Sequence, residues 1–365
     1  VQDAAALSAA EIRAASSRIA GHVFRTPLVP SAHLSELTGG RVYLKLENQQ
    51  VLGVFKIRGM ANRALTLTAK ERELGIIVAS SGNHAAAASY AGRRWGFAVK
   101  VFVPETTPAA KIAKIRRFGA ELVLTGRDYD EARAAALDRV GARGGQVWVD
   151  PCADPFVIAG HGTIGYEIAE DLRTVSAADA GAGPELARAQ AGPDAVLVPV
   201  GGGGLVTGIG LALRDCSPGT RVIGVQSEAC PALRASLDEG VCHLAYPSAP
   251  SLCDALVGGI GETVFELAGR CLDGVVLAGE RAISRAVLDL IRYEQVLAEP
   301  SGAVGVAYLS GHPEEFAGQT VVIVISGGNL DYPVLDALVR AAEPAAVRRP
   351  GRESPAGGPG AGFRR

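Results

Sequence analysis

The sequence predicts an α/β protein of two intimately joined lobes, each a mostly parallel sheet flanked by helices. One observation behind this is length: 365 residues exceed one ordinary small core, yet no break in composition separates two independent proteins. The other is alternation. Short β-rich runs give way again and again to longer runs of helical period, the pattern of parallel sheets covered by helices.

Each element has a local reason. Ser8-Ala-Ala-Glu11 has the spacing of a capping box, so a helix is expected to about Ala20. Val42–Leu46 reads as a strand, with a helix after Lys56; Gly75–Ser80 leads to a helix from Asn83; Phe97–Val103 to Pro108–Phe118; and Leu122–Thr125 to Tyr129–Ala142. From about Ser176 to Pro193 the chain is rich in Ala and Gly with little periodicity, which suggests a surface loop or a loosely held helical insertion. Ala195–Val200 then reads as strand, Leu205–Arg214 as helix, Arg221–Gln226 as strand and Glu280–Arg292 as helix. Thr320–Ser326 is the last strand, followed by a helix from about Tyr332 to Ala342. The Pro/Gly/Arg-rich stretch 343–365 cannot bury enough apolar surface to order itself and is expected to be disordered.

Composition narrows the function. Hydrophobic residues make up 48% and charged residues 20%, with a net charge of -2, a balance that points to a soluble enzyme and gives no reason to expect nucleic acid or a membrane as partner. Val1–Gly21 lacks the basic start and apolar run of a secretory signal, so a cytoplasmic location is expected. Cys152, Cys216, Cys230, Cys242, Cys253 and Cys271 are scattered and expected to be reduced. The six histidines lie nowhere near one another or a cysteine pair, so no metal site is expected.

The strongest chemical signal is Ala195-Val-Leu-Val-Pro-Val-Gly201-Gly202-Gly203-Gly204-Leu205, a buried-type strand, four glycines and then a helix. Glycines there let successive amides converge on an anion, and the helix N-terminus adds partial positive charge. The motif lacks the Lys-Ser/Thr ending of a P-loop and the spacing of a dinucleotide fingerprint. A plain flexible turn is the competing reading; placement straight after a Val/Leu strand favours the phosphate cradle. A phosphate-bearing aldehyde cofactor would need a lysine, and the chain has six: Lys45, Lys56, Lys70, Lys100, Lys111 and Lys114. Lys56, in Leu52-Gly-Val-Phe-Lys-Ile-Arg-Gly59, has apolar neighbours and a flanking Arg58 that would desolvate it and lower its pKa, although a snorkelling surface lysine fits the spacing equally. Ser80-Ser81-Gly82-Asn83-His84 suits either a simple helix cap or the grip on a substrate carboxylate. Glu299-Pro-Ser301-Gly-Ala303 reads as a turn, and Ser326-Gly327-Gly-Asn329 follows the last strand, at the carboxyl end of the sheet where ligands bind.

Taken in order, Phe-Lys-x-Arg-Gly, Ser-Ser-Gly-Asn-His, Gly-Gly-Gly-Gly-Leu, Glu-Pro-Ser-Gly-Ala and Ser-Gly-Gly-Asn resemble the threonine/serine dehydratase and serine racemase family, pyridoxal-phosphate enzymes of fold type II, from about Thr26 to Asn329. The resemblance implies a large cofactor-binding domain (1–70 and 151–342), a small mobile domain (71–150) and an active site in the cleft between them. By the same likeness Lys56 would carry pyridoxal 5'-phosphate as an imine beside Phe55, and Gly201, Gly202, Gly203, Gly204 and Leu205 would hold its phosphate. Asn83 would contact the ring hydroxyl and Ser326 the pyridine nitrogen, with Glu299 and Gly327 also on the cofactor side. Ser80, Ser81, Gly82, Asn83, His84 and Cys152 would line the substrate side; in racemising relatives the position of Ser81 supplies the proton opposite Lys56. The implied activity is that of an ammonia-lyase, converting a β-hydroxy amino acid such as threonine, serine or a substituted relative to a 2-oxo acid and ammonia, in a homodimer.

Departures from the family pattern bear on the substrate. Val54 replaces a usual serine or alanine, Ala86 a Gln or Gly, and Cys152 and His161 are unusual in their loop, so a reshaped pocket is expected. Gln226 and Ala232 stand where some relatives carry carboxylates for magnesium or calcium, which argues against a divalent site, with Glu228 close by. Asp254 falls in a loop near the mouth of the active site. No globular module follows residue 345, so feedback inhibition through a regulatory domain is not expected. The rival readings are a racemase or β-replacement synthase on the same scaffold and, from another class, a non-catalytic phosphate-ligand binding protein.

Overall fold

The computed structural model describes residues 7–143, 145–179 and 192–342. Most of the expected loop at 176–193 and all of the expected disordered tail lie outside those residues. In chain order the first stretch forms α1 (Ala9–Ile19), β1 (Leu28–Pro30), α2 (Ala32–Thr38), β2 (Arg41–Leu46), α3 (Lys56–Thr66) and α4 (Ala69–Leu74). Next come β3 (Ile76–Ala79), α5 (Asn83–Trp95), β4 (Val99–Val103), α6 (Ala109–Arg116), β5 (Glu121–Leu124), α7 (Tyr129–Arg143) and β6 (Val147–Trp148). The chain continues through α8 (Pro155–Asp179), β7 (Ala195–Pro199), α9 (Gly204–Cys216), β8 (Arg221–Ser227), α10 (Ala232–Glu239), α11 (Glu262–Cys271) and β9 (Gly274–Ala278). It ends with α12 (Glu280–Glu294), α13 (Pro300–Gly311), β10 (Thr320–Ile325) and α14 (Tyr332–Ala342).

Two sheets result, ordered β1-β2-β10-β7-β8-β9 and β5-β4-β3-β6. Only the edge pair β1–β2 is antiparallel; the other pairs are parallel. Every strand of the four-stranded sheet falls within 71–150. Both sheets belong to one compact unit ending at Leu330, and a second unit beginning at Asp331 contributes α14. The central strands β7 and β10 are buried at every position, as their unbroken runs of apolar residues require of parallel strands covered on both faces. Among the described residues no helix is long and apolar enough to cross a membrane.

Local chemistry sets the boundaries, with some differences from expectation. Ser8 caps α1 by accepting from the Glu11 amide at 3.3 Å, but the Glu11 carboxylate turns to Arg18, so only half of the expected box forms. The reciprocal version is at Thr68 and Glu71, ahead of α4. Glu299-Pro-Ser-Gly-Ala is no isolated turn: Pro300, its φ preset for helix and its missing N–H harmless in the first turn, opens α13. Two central helices escaped the sequence reading altogether, α8 and α13. α13 is buried almost from end to end and so carries little contrast between an apolar and a polar face. α8 and α9 touch through their backbones: a Cβ on Gly162 would lie 2.7 Å from Gly208 O, and one on Gly208 would lie 2.5 Å from Ile158 O.

A buried ionic network ties β2, α3 and α8 together. Arg58 is fully buried and grips Glu47 through Nε and Nη2, both at 2.8 Å, and Glu167 through Nη1 at 2.6 Å and Nη2 at 2.9 Å. Lys45, equally buried, meets Glu167 at 2.7 Å and Asp171 at 3.1 Å. Such a network holds because each charge is matched, and deleting one partner strands another at a cost of about 3–5 kcal/mol.

Candidate active site

Five strand-to-helix or strand-end segments converge at the carboxyl ends of the two sheets. From β2 the chain reaches Phe55 and the start of α3; from β10 it reaches Ser326 and Gly327. The Phe55 amide donates to Ser326 O at 3.1 Å, the Gly328 amide donates to Gly53 O at 2.9 Å, and Val54 bridges Gly327. Beyond β7, Gly201–Gly204 run into α9. Ser80–Gly82 lead from β3 into α5, and Asp150–Asp154 lead from β6 into α8. His84 Nε2 lies 3.3 Å from Val149 O, which joins the last two.

Lys56 is the first residue of α3, half-buried, with Nζ 4.9 Å from the centroid of the Phe55 ring. That ring meets the His161 imidazole edge-on at 4.7 Å. Burial pushes the Lys56 amine below its ordinary value, while the Asp150 carboxylate pulls it partly back. The expected help from Arg58 does not materialise, because its guanidinium is turned away to Glu47 and Glu167. The imidazoles nearby are neutral: burial together with Lys56 brings His84 down to about 3 and holds His161 well below its usual range. His84 itself is buried and directed at Val149, so whatever it offers a substrate comes through its backbone in the first turn of α5.

The tetraglycine turn is closely walled. A Cβ on Gly202 would collide with Cys152 Sγ and one on Gly203 with Val264, while Gly203 also holds φ +88, a conformation natural only to glycine. Among the described residues none accepts a hydrogen bond from the amides of Gly201, Gly202 or Gly203. Three successive amides at a helix N-terminus, free of side chains, fit a phosphate. Leu205 continues the helix and is buried. Cys152 therefore stands against the phosphate side of the site, and burial holds its thiol up to about 11, so it is a neutral S–H there. The Asp150 carboxylate accepts from the Cys152 and Ala153 amides, both at 2.9 Å, and sets the shape of this loop. Its Asp-x-x spacing ahead of a helix was the unread signal for that role.

On the opposite wall, α5 begins at Gly82 with no side-chain cap, and a Cβ on Gly82 would meet nothing within 4 Å. Ser80 and Ser81 are half-buried, with Ser80 Oγ accepting from the Gly82 amide at 3.2 Å. Asn83 Nδ2 donates to Glu299 Oε1 at 3.0 Å and Oε2 at 3.3 Å, and Asn83 Oδ1 accepts from Asn329 Nδ2 at 2.9 Å. Burial raises the Glu299 carboxyl to about 7 against the Asn83 hydrogen bond. Ser326 is buried beside Glu299 and Gly327, whose missing Cβ leaves room for the Glu299 carboxylate. Asp254, from the loop that backs Gly201, pairs with Lys111 of α6 at 2.7 Å.

A desolvated lysine and a glycine turn whose amides are unclaimed suit one cofactor chemistry, and the sequence model of the family described as "Pyridoxal-phosphate dependent enzyme" matches residues 19–327. The chain belongs to this family. Pyridoxal phosphate is accordingly its cofactor. Among relatives in this family, the L-threonine ammonia-lyase of Thermotoga maritima is 40% identical over 330 residues, covering 90% of this chain and 77% of that protein. The catabolic L-threonine dehydratase of Escherichia coli is 36% identical, covering 88% and 92%. The processed form of threonine deaminase isoform 2 from Solanum lycopersicum superposes with a TM-score of 0.79 at 31% identity, covering 91% of this chain and 92% of that one. The serine racemase of Dictyostelium discoideum gives 0.77 at 27% identity, covering 89% and 99%. The fold is thus that of the pyridoxal-phosphate enzymes of fold type II.

Proposed function

We propose that this cleft carries out α,β-elimination on a β-hydroxy amino acid of the threonine or serine kind, releasing a 2-oxo acid and ammonia. The observation that carries the proposal is the Lys56 amine, desolvated at the start of α3 and in electrostatic range of the Cys152–Asp150 loop that packs against Gly202. The relatives named threonine ammonia-lyases and dehydratases support the reaction class.

The bound cofactor supplies an electron-withdrawing ring that stabilises negative charge on the substrate Cα. The chain supplies the rest. The amides of Gly201–Gly203 would anchor the phosphate, while that of Gly204 donates to Cys152. Amides of the first turn of α5, with the Ser80 and Ser81 hydroxyls, hold the substrate carboxylate where the helix dipole favours an anion. Lys56 Nζ, kept below its ordinary pKa by burial, is suited to act as the base that takes the Cα proton. Ser326 would hold the ring nitrogen through its hydroxyl, a partner that would not protonate it, so the bound cofactor would favour loss of the β-hydroxyl over charge storage. Cys152, small and uncharged, shapes the loop side of the pocket. In the same reading residues 71–150 move as a small domain against the larger sheet, and the enzyme is a cytoplasmic homodimer; six free thiols are consistent with a reducing compartment.

The test is a panel of β-hydroxy amino acids assayed for 2-oxo acid release, with Lys56→Ala as control. Release that falls at least about a thousandfold in the variant is the expected result; release unchanged in Lys56→Ala overturns the proposal. Racemisation is the second reading, favoured by half-buried Ser81 across the cleft and by the serine racemase superposition. Chiral analysis after incubation with one enantiomer separates the two.

A further inference from the structure

Asn83 is held by side chains from the far side of the cleft, and the chemistry of those partners leaves only one way round for its carboxamide. Leu52 O can only accept, so the end of Asn329 that meets it at 3.1 Å is Nδ2. The same Nδ2 reaches Asn83 Oδ1 at 2.9 Å, which places Asn83 Nδ2 on Glu299, where both carboxylate oxygens accept from it. One N–H of Asn83 can span the two Glu299 oxygens, and the second is left over. Leu52 takes part through an unusual backbone: it holds φ 68, a left-handed conformation rare for leucine, four residues before Lys56.

We infer that Glu299 and Asn329 are positioning residues that orient the Asn83 carboxamide so that its free N–H is presented to the oxygen on the cofactor ring, with Asn329 registering that amide against the loop that delivers Lys56. The inference rests on the cofactor reading above and reassigns Glu299, which acts on the cofactor through Asn83. Without Glu299 the amide loses its acceptor; with an acceptor in place of the Asn329 donor the amide oxygen loses its partner, and in either case the carboxamide is no longer held in one orientation.

The experiment is a cofactor titration with absorbance spectroscopy on purified full-length protein, comparing wild type with Asn83→Ala, Glu299→Ala, Glu299→Gln and Asn329→Asp, and with the two doubles Asn83→Ala/Glu299→Ala and Asn83→Ala/Asn329→Asp. Glu299→Ala and Asn329→Asp are expected to weaken cofactor binding about tenfold, the worth of one charge-assisted hydrogen bond, and to shift the absorbance band of the lysine-bound cofactor. Glu299→Gln, which keeps an acceptor oxygen, is expected to retain the wild-type band. In the Asn83→Ala background neither substitution should weaken binding or move the band further. Additive losses in the doubles, or an unmoved band in both single variants, overturn the inference. Should Glu299→Ala fail to fold, the Asn329→Asp arm decides it alone. A wild-type protein that takes up no cofactor sinks the cofactor reading instead, so the two failures are distinguishable.

Discussion

The two glycine-bearing turns that face each other across the cleft are built to opposite specifications. In the turn after β7, side chains occupy the space where Cβ atoms would go: Cys152 beside Gly202 and Val264 beside Gly203. In the turn after β3, the space beside Gly82 is open for 4 Å and its φ of -122 is available to any residue. The first turn has one shape and suits a cofactor that stays; the second has room and suits a substrate that comes and goes. Glycine is thus a steric necessity on one wall and a clearance on the other.

The sharpest way to break this contrast is Gly203→Ala. A left-handed φ and a collision with Val264 together predict a loss of about 3 kcal/mol in unfolding free energy and about a hundredfold in cofactor affinity, read by urea denaturation and absorbance titration. Next in size is Glu299. Its carboxyl is raised in the fold from 4.5 to about 7, so the stability it gives is full below the unfolded value and disappears as pH rises through 7. Glu299→Gln removes that dependence and is expected to be less sensitive than wild type to a change from pH 5 to pH 8, by about 3 kcal/mol. A variant that tracks the wild type across that range would contradict the burial described for Glu299.

The histidines run the other way. His84 is depressed from 6.5 to about 3, so its contribution is present above 6.5 and is lost as pH falls below it. His161 shares that direction. Unfolding measured at pH 6.5 and pH 5 should show a loss of about 2 kcal/mol from His84 and a further loss of the same sign from His161, relieved by His84→Gln and His161→Gln respectively. The smallest effect belongs to Gly82→Ala, which should change stability by no more than about 0.5 kcal/mol and appear instead as a higher KM with cofactor affinity unchanged. A collapse of cofactor binding in that variant would erase the distinction between the two turns.

How much of this was legible before the fold was seen depends on where the information resides. Strand-to-helix alternation and glycine clusters are local, and they marked out the segments of Lys56, Gly201–Gly204, Asn83 and Ser326; the order of those motifs, matched to a family, is what suggested roles for them. α13 was missed because a helix buried on nearly all sides has no polar face to set its period. The assignment of Lys56 desolvation to Arg58 failed for a non-local reason, since Glu167, the residue that draws the guanidinium away, lies 109 positions further on. Asn329 stood in a recognised motif, yet its tie to Asn83 spans 246 positions. Side-chain partners of this kind belong to topology.

The bare contact between Gly162 and Gly208 fastens α8 to α9 without any side-chain cushion. α8 begins where the Cys152 loop ends, and α9 begins at the cradle, so this contact sets the spacing of the two. A side chain added at either glycine would have to push one helix off the other, and with it the cradle away from the cysteine loop.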